Sequence, residues 1–78
     1  MAETAYILIK LERNVPAEVA RQVRRVPGVA EALVTMGHVD VLAIAHGDTT
    51  KAFPTIGQRI QAIEGVSSVS VCVVLQHV

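Results

Sequence analysis

Two segments of the chain share one residue pattern, and this internal repeat constrains the fold more than any other feature of the sequence. Residues 23–29 and 60–66 share the pattern apolar–x–x–apolar–x–Gly–Val, each at the end of an amphipathic stretch. In both copies the glycine is suited to end a helix, and the apolar run that follows is typical of a strand. The chain therefore resembles two successive helix–strand units, which predicts a sheet covered by two helices.

Apolar periodicity supplies the strands. Alternating or continuous apolar residues predict strands over Thr4–Glu12, Val29–Met36, Val39–His46 and Val66–Gln76. In the first strand Ala5, Ile7, Ile9 and Leu11 share one face, and Tyr6, Leu8, Lys10 and Glu12 share the other.

The two helices are predicted between these strands. The first is expected to follow an N-cap at Asn14, to have Pro16 in its first turn, and to end at Pro27–Gly28. The second is expected to follow a turn and cap at residues 47–50 and to end at Gly65. The apolar positions at helical spacing are Val15, Val19, Val23 and Val26 in the first helix, and Phe53, Ile56, Ile60 and Ile63 in the second.

The short link between the second and third strands predicts how they pair. Gly37-His38 between two apolar runs is a hairpin signal, so these strands are expected to be antiparallel neighbours. The order β-α-β-β-α-β then predicts an α+β, ferredoxin-like fold with a four-stranded antiparallel sheet. Right-handed crossovers place both helices on one face of that sheet. We expect one domain over residues 1–78.

The other face of the predicted sheet has no helix to cover it. Its apolar positions are Tyr6, Leu8, Leu42, Ile44, Cys72 and Val74. The chain is 51% hydrophobic and 18% charged, so it has more apolar side chains than one small core hides. We therefore expect a dimer or a larger homo-oligomer of the dimeric α/β-barrel type, with this face as the interface. The alternative is a sheet twist that hides these side chains within one protomer.

Charge and motif content argue against several classes of function. Lys+Arg and Asp+Glu are balanced at 7 each, which provides no basic surface for nucleic acid. No signal-peptide pattern and no apolar run of membrane-spanning length is present, so we expect a cytoplasmic protein without membrane contact. Cys72 is expected to be a buried, inert thiol, and His38, Asp40, His46 and His77 lack the spacing of a metal site. We therefore expect no enzyme activity and no cofactor.

Two motifs carry a resemblance to a known family. The first is Gly37-His38-Val39-Asp40 ahead of an apolar strand, and the second is Gly65-Val66-Ser67-Ser68-Val69-Ser70 after the second helix. Together they resemble the effector-binding module of the Lrp/AsnC transcription regulators, also called the RAM domain. The resemblance covers residues from about Ala5 to Leu75. The family pattern at the first motif is Gly-x-aromatic-Asp, from which this chain departs at Val39.

The resemblance implies a function as well as a fold. Family members form dimers through the open sheet face, and the dimers assemble further into rings. Amino acids or related small metabolites bind where dimers meet. Carried over to this chain, the ligand-binding residues would be Gly37, His38, Asp40, Ser68 and Ser70. The chain looks like a version without the family's helix-turn-helix, which would act by joining full-length Lrp/AsnC relatives and would not bind DNA itself.

The chemistry of these residues is compatible with that assignment. Asp40 can accept from the ammonium group of an amino acid, and backbone N–H groups around Gly37-His38 can face its carboxylate. Ser68 and Ser70 can bind either end. Alternatively, Asp40 caps backbone N–H groups, and the serines are merely polar strand residues. The alternative functions are a small dimeric α+β barrel enzyme and a purely structural assembly module without a ligand.

Overall fold

The computed structural model describes residues 2–78 and confirms the predicted order of elements and the ferredoxin-like fold. The elements are β1 (Glu3–Leu11), α1 (Pro16–Arg24), β2 (Val29–Val34), β3 (Val41–Gly47), α2 (Ala52–Gln61) and β4 (Val66–Val73). The strands form one four-stranded sheet in the order β2-β3-β1-β4, with every neighbouring pair antiparallel. The first strand is therefore central, and it is paired on both sides.

The core lies between the two helices and one face of the sheet, which we call the covered face. The alternation predicted for β1 is confirmed, since Ala5, Ile7 and Ile9 are all fully buried. The other buried apolar side chains are Val19, Ala20, Val23, Val29, Val41, Ala43, Ala45, Phe53, Ile56, Ile60 and Val66. No polar or charged side chain among residues 2–78 is buried. The opposite face carries no helix, and we call it the open face.

The start of α1 differs from the prediction. Pro16 occupies the first turn as expected, but the N-cap is Val15, and Asn14 is not the cap. Asn14 adopts a φ of +85°, donates through Nδ2 to the carbonyl of Glu64 at 3.1 Å, and accepts from the N–H of Val15 at 2.7 Å. This tie to a residue fifty positions away removes Asn14 from the helix. Val15 consequently leaves the apolar stripe and is 62% exposed.

The ends of α2 also differ in detail. Its N-cap is Lys51, whose N–H donates to the hydroxyl of Thr49 at 3.3 Å. The predicted capping segment 47–50 also supplies the carbonyls of Thr49 and Thr50, which accept from the N–H groups of Ala52 and Phe53 at 3.4 Å and 3.2 Å. The helix is followed by a turn in which Gly65 has a φ of +94°. A Cβ atom at Gly65 would overlap the carbonyl oxygen of Arg13, so the close approach of these two loops requires glycine there.

The predicted two-residue hairpin is wrong, although β2 and β3 do pair antiparallel. β2 ends at Val34 and β3 begins at Val41, so residues 35–40 form a longer connection. Thr35 closes it: its N–H donates to the carbonyl of Asp40 at 3.0 Å, and its hydroxyl donates to the carbonyl of Val39 at 2.8 Å. The last strand is likewise shorter than predicted and ends at Val73.

Candidate functional site

Asp40 lies immediately before β3, at the end of the sheet where β1 stops. Its N–H donates to the carbonyl of Ile9 at 3.0 Å. Its half-buried carboxylate accepts through Oδ2 from the backbone N–H of Leu11 at 2.8 Å. The capping role that the sequence left as an alternative is therefore present for one carboxylate oxygen. Among residues 2–78 no hydrogen-bond donor reaches Oδ1, which is accessible to solvent and can accept a hydrogen bond.

The turn that precedes Asp40 is exposed and contains a glycine for a conformational reason. Gly37 has a φ of +152°, which side-chain-bearing residues rarely adopt. No atom lies within 4 Å of the position that a Cβ would take, so the space over this turn is open. His38 is exposed and Val39 is half-buried. Gly37 and His38 thus lie in an accessible loop that leads directly into Asp40.

The two predicted serines lie on the open face of β4. Ser68 pairs with Lys10 and Ser70 pairs with Leu8, and both serines are exposed. The pairing of β1 with β3 ends at Ile9 and Val41, which puts Asp40 beside Lys10 on the side opposite Ser68. The sheet therefore brings Asp40 and Ser68 to the same end, with Lys10 between them, and Ser70 lies two residues further along β4. No hydrogen bond joins either serine hydroxyl to Asp40 within residues 2–78.

Lys10 is a further candidate for this site that the two sequence motifs do not include. Its side chain is exposed, and it stands between Asp40 on one neighbouring strand and Ser68 on the other. The signal was available in the alternation of β1, which assigns Lys10 to the same face as Tyr6 and Leu8. An ammonium group at this position adds a positive charge to the end of the sheet where Asp40 lies.

Two loops meet at the same end of the sheet. A cavity of about 230 Å³ is lined by Arg13, Asn14 and Glu64, which belong to the loop after β1 and the turn before β4. The loops are joined by the Asn14–Glu64 hydrogen bond and by the N–H of Glu12, which donates to the carbonyl of Gly65 at 2.9 Å. These contacts fix the position of Ser67 and Ser68 relative to Lys10. Ser67 adds a further tie, because its hydroxyl donates to the carbonyl of Lys10 at 3.2 Å.

The open face contains the apolar residues that the sequence assigned to it. In the β1–β3 register Tyr6 stands opposite Ile44 and Leu8 stands opposite Leu42. On the β4 side Cys72 stands opposite Tyr6, and the N–H of Val74 extends the ladder by donating to the carbonyl of Thr4 at 2.9 Å. The twist of the sheet leaves Tyr6 41% exposed, so it does not hide this side chain within the protomer.

Leu33 is a second residue that the sequence reasoning missed. It lies in β2 opposite Leu42 and is 43% exposed, so the apolar surface extends to the sheet edge.

The prediction that Cys72 is a buried thiol is wrong, because its side chain is exposed. The reason is its position on the open face of an edge strand, where the protomer offers nothing to cover it.

Residues 2–78 contain neither a cluster of metal ligands nor a membrane-spanning helix. No group of three or more His, Cys, Asp or Glu side chains there is placed to hold a metal ion. His46, one of the residues considered for such a site, instead pairs through Nδ1 with the hydroxyl of Thr4 at 3.1 Å. No helix in the described part of the chain is long and apolar enough to cross a bilayer.

The sequence of the chain matches the model of a known protein family. The sequence model of the Lrp/AsnC ligand binding domain matches residues 4–78. The chain belongs to the Lrp/AsnC ligand-binding domain family. None of the proteins with curated functions matches its sequence.

Several solved structures show the same fold. A protein of Thermus thermophilus has a TM-score of 0.88 at 22% identity, with 97% of this chain and 96% of that one covered. AsnC of Escherichia coli has a TM-score of 0.84 at 22% identity, with 96% of this chain and 52% of that one covered. A transcriptional regulator of Neisseria meningitidis, solved as its L-Met complex, has a TM-score of 0.79 at 22% identity, with 97% and 51% covered. The domain thus spans about half of the two regulators.

Proposed function

We propose that the chain is a non-catalytic regulatory module, one domain over residues 1–78, that oligomerises and binds a small effector, an amino acid. The observation that carries the proposal is the state of Asp40. One of its oxygens is engaged by Leu11, and the other has no donor within residues 2–78, at a half-buried position beside Lys10. A carboxylate placed in this way is ready to accept from a cation that comes from outside the protomer.

The groups around Asp40 match the two charged ends of an amino acid. The free oxygen of Asp40 accepts from the ammonium group, and Lys10 together with the backbone N–H groups of the Gly37-His38 turn faces the carboxylate. The hydroxyls of Ser68 and Ser70 add donors or acceptors on the neighbouring strand. The L-Met complex of the structurally similar Neisseria regulator supports an amino acid as the class of effector. Val39, at the aromatic position of the family motif, sets a different apolar contact for the effector side chain.

The open face is the proposed dimer interface. Tyr6, Leu8, Leu42, Ile44, Cys72 and Val74 supply it, and Leu33 extends it. Each 100 Å² of apolar surface removed from water contributes roughly 2.5 kcal/mol, and association costs on the order of 4–15 kcal/mol. Removal of roughly 160–600 Å² of apolar surface from water is therefore needed to offset the cost of association.

The effector site is proposed to be completed by a second dimer. In a single protomer the space over Gly37 is open, so one protomer leaves most of a small ligand in contact with water. A neighbouring dimer that covers this loop encloses the ligand, and repetition of that contact closes a ring of dimers. The same open face also allows the chain to join other Lrp/AsnC proteins, through which it influences transcription.

Native mass spectrometry tests this proposal because it measures subunit number and bound mass together. The wild-type chain is compared with Asp40→Asn, each alone and with an equimolar mixture of the free amino acids. We expect an assembly of dimers that gains the mass of an amino acid, and a variant of the same subunit number that does not. A wild-type dimer that gains no mass from the mixture would contradict the effector part of the proposal. A monomeric wild type would contradict the interface.

A further inference from the structure

A groove runs along the covered face between α1 and the edge strand β2. It is shallow and open to solvent, with a volume of about 410 Å³. Its floor consists of Ala17, Ala20, Ala32 and Val34, and its rim is formed by Arg21, Arg24 and Arg25. Because β2 is the outermost strand on this side, the groove is open along one flank.

The sequence of α1 explains why the groove exists. Ala17, Ala20 and Arg24 recur every three or four residues, so they line one side of the helix, next to the buried stripe of Val19 and Val23. The alanines are too small to fill the space between the helix and the sheet edge. Val34 remains 54% exposed below them, although its partner across the ladder, Val41, is fully buried. The floor is therefore apolar and uncovered.

The rim concentrates positive charge in a chain whose formal net charge is zero. Arg21 pairs with Glu18 at 2.7 Å. Arg24 donates through Nη1 to the carbonyl of Val29 at 3.1 Å, which holds its guanidinium over the groove without neutralising it. Arg25 has no ion-pair partner within residues 2–78. Two of the three guanidinium groups thus keep an uncompensated charge next to an apolar floor.

We propose that this groove is a second ligand site, which takes a small organic anion with an apolar body. Guanidinium groups bind carboxylates and phosphates through paired hydrogen bonds, and the alanine floor accommodates an aliphatic or aromatic group. The site is separate from the one that contains Asp40. Ala32 and Val34 pair with the buried Ala43 and Val41 and so lie on the covered face, whereas Ser68 and Ser70 lie on the open face.

An NMR titration with hexanoate tests the second site on the full chain. We expect saturable changes of amide shifts confined to residues 16–25 and 29–34, and an affinity at least tenfold higher than that of acetate or of hexan-1-ol. Acetate lacks the apolar body and hexan-1-ol lacks the charge, so both features of the groove are tested separately.

Three variants locate the binding. Arg25→Gln removes an uncompensated charge, and Ala17→Leu fills the floor while it leaves every arginine in place; each is expected to weaken hexanoate binding at least fivefold. Arg59→Gln, an exposed arginine of α2 outside the groove, is the matched control and is expected to bind like the wild type. The proposal is overturned if hexanoate does not bind, if it binds no better than acetate, or if Ala17→Leu and Arg25→Gln both bind it like the wild type.

Discussion

The carboxylate of Asp40 and the backbone N–H of Leu11 are joined by a 2.8 Å hydrogen bond that connects the start of β3 to the end of β1. The residue proposed to bind the effector ammonium is therefore also part of the protein's own hydrogen-bonding. One carboxylate oxygen accepts from Leu11, and the other is proposed to accept from the effector. Substitutions that keep or remove the Leu11 contact distinguish the structural role of Asp40 from its role in binding.

Asp40→Asn is expected to lose effector binding while it keeps the fold. The amide oxygen of Asn still accepts from Leu11, but the negative charge that pairs with an ammonium group is gone. Charge-assisted hydrogen bonds contribute roughly 1.5–3 kcal/mol, so affinity for the amino acid is expected to fall at least about tenfold. Isothermal titration calorimetry measures the affinity, and urea unfolding measures the stability.

Asp40→Ala is the companion variant, and it is expected to be destabilised as well. It leaves the part-buried N–H of Leu11 without its acceptor, which costs about 1–3 kcal/mol. Equal unfolding free energies for the Asn and Ala variants would show that the Leu11 contact contributes nothing measurable. Wild-type amino-acid affinity in Asp40→Asn would remove Asp40 from the effector site.

Lys10→Gln is expected to weaken effector binding modestly. An exposed charge pair contributes roughly 0.2–1 kcal/mol, so the affinity is expected to fall about two- to fivefold. The effect is expected to shrink as salt is added, because exposed charges are screened. Lys51→Gln, another exposed lysine, serves as the control. Isothermal titration calorimetry measures the affinity of both variants for the amino acid. An equal effect of the two substitutions would contradict a role for Lys10.

Leu42→Arg is expected to convert the assembly into monomers. Leu42 lies between Leu8 and Leu33 in the ladder, so an arginine there places a charge at the centre of the proposed interface. A buried, unpaired charge costs several kcal/mol, which is enough to dissociate a small dimer. Sedimentation velocity gives the mass. Gln58→Arg, on the exposed surface of α2, is expected to keep the wild-type mass. A Leu42→Arg protein with that same mass would locate the interface elsewhere.

Gly65→Ala and Gly37→Ala are expected to differ in their effect on stability. Both glycines have positive φ values, so each substitution introduces backbone strain on the order of 1 kcal/mol. At Gly65 the new Cβ also meets the carbonyl of Arg13 and the side chain of Asn14, whereas at Gly37 it meets nothing. The Gly65 variant is therefore expected to lose about 1–3 kcal/mol more in urea unfolding. Equal losses would mean that the two loops separate without cost.

The features that could be predicted from the sequence are those that depend on the periodicity of apolar residues along the chain. The alternation of β1 correctly separated the buried Ala5, Ile7 and Ile9 from the open-face Tyr6 and Leu8, because side chains of a strand must alternate between its faces. The order of elements and the fold followed from the same kind of pattern. The apolar residues of the open face were also assigned to the correct face, since paired residues on neighbouring strands point to the same side of the sheet.

The errors fall where a distant partner overrides local preference. Asn14 is a favourable N-cap by type, but its bond to Glu64 holds it outside the helix. Val39 and Asp40 look like the start of a strand, but Thr35 ties both carbonyls into a longer connection and Leu11 engages the Asp40 carboxylate. The Asn14–Glu64 and Leu11–Asp40 contacts join residues 50 and 29 positions apart, so a local window of sequence does not contain both partners. The alternation of β1 gave the face of Lys10, but its place between Asp40 and Ser68 required the register of both neighbouring strands.

The central position of β1 has a consequence for the way the chain folds. β2 and β3 are joined by residues 35–40 alone, whereas the strands that pair with β1 lie much later in the chain than β1 itself. Because closing a long loop costs entropy before its contacts form, we expect the β2–β3 hairpin to form early and β1 to dock onto it later. The hydrogen bond from Leu11 to Asp40 belongs to that later step. The proposed effector site is then absent from any partly folded chain, and an effector that binds it slows unfolding by holding β1 in place.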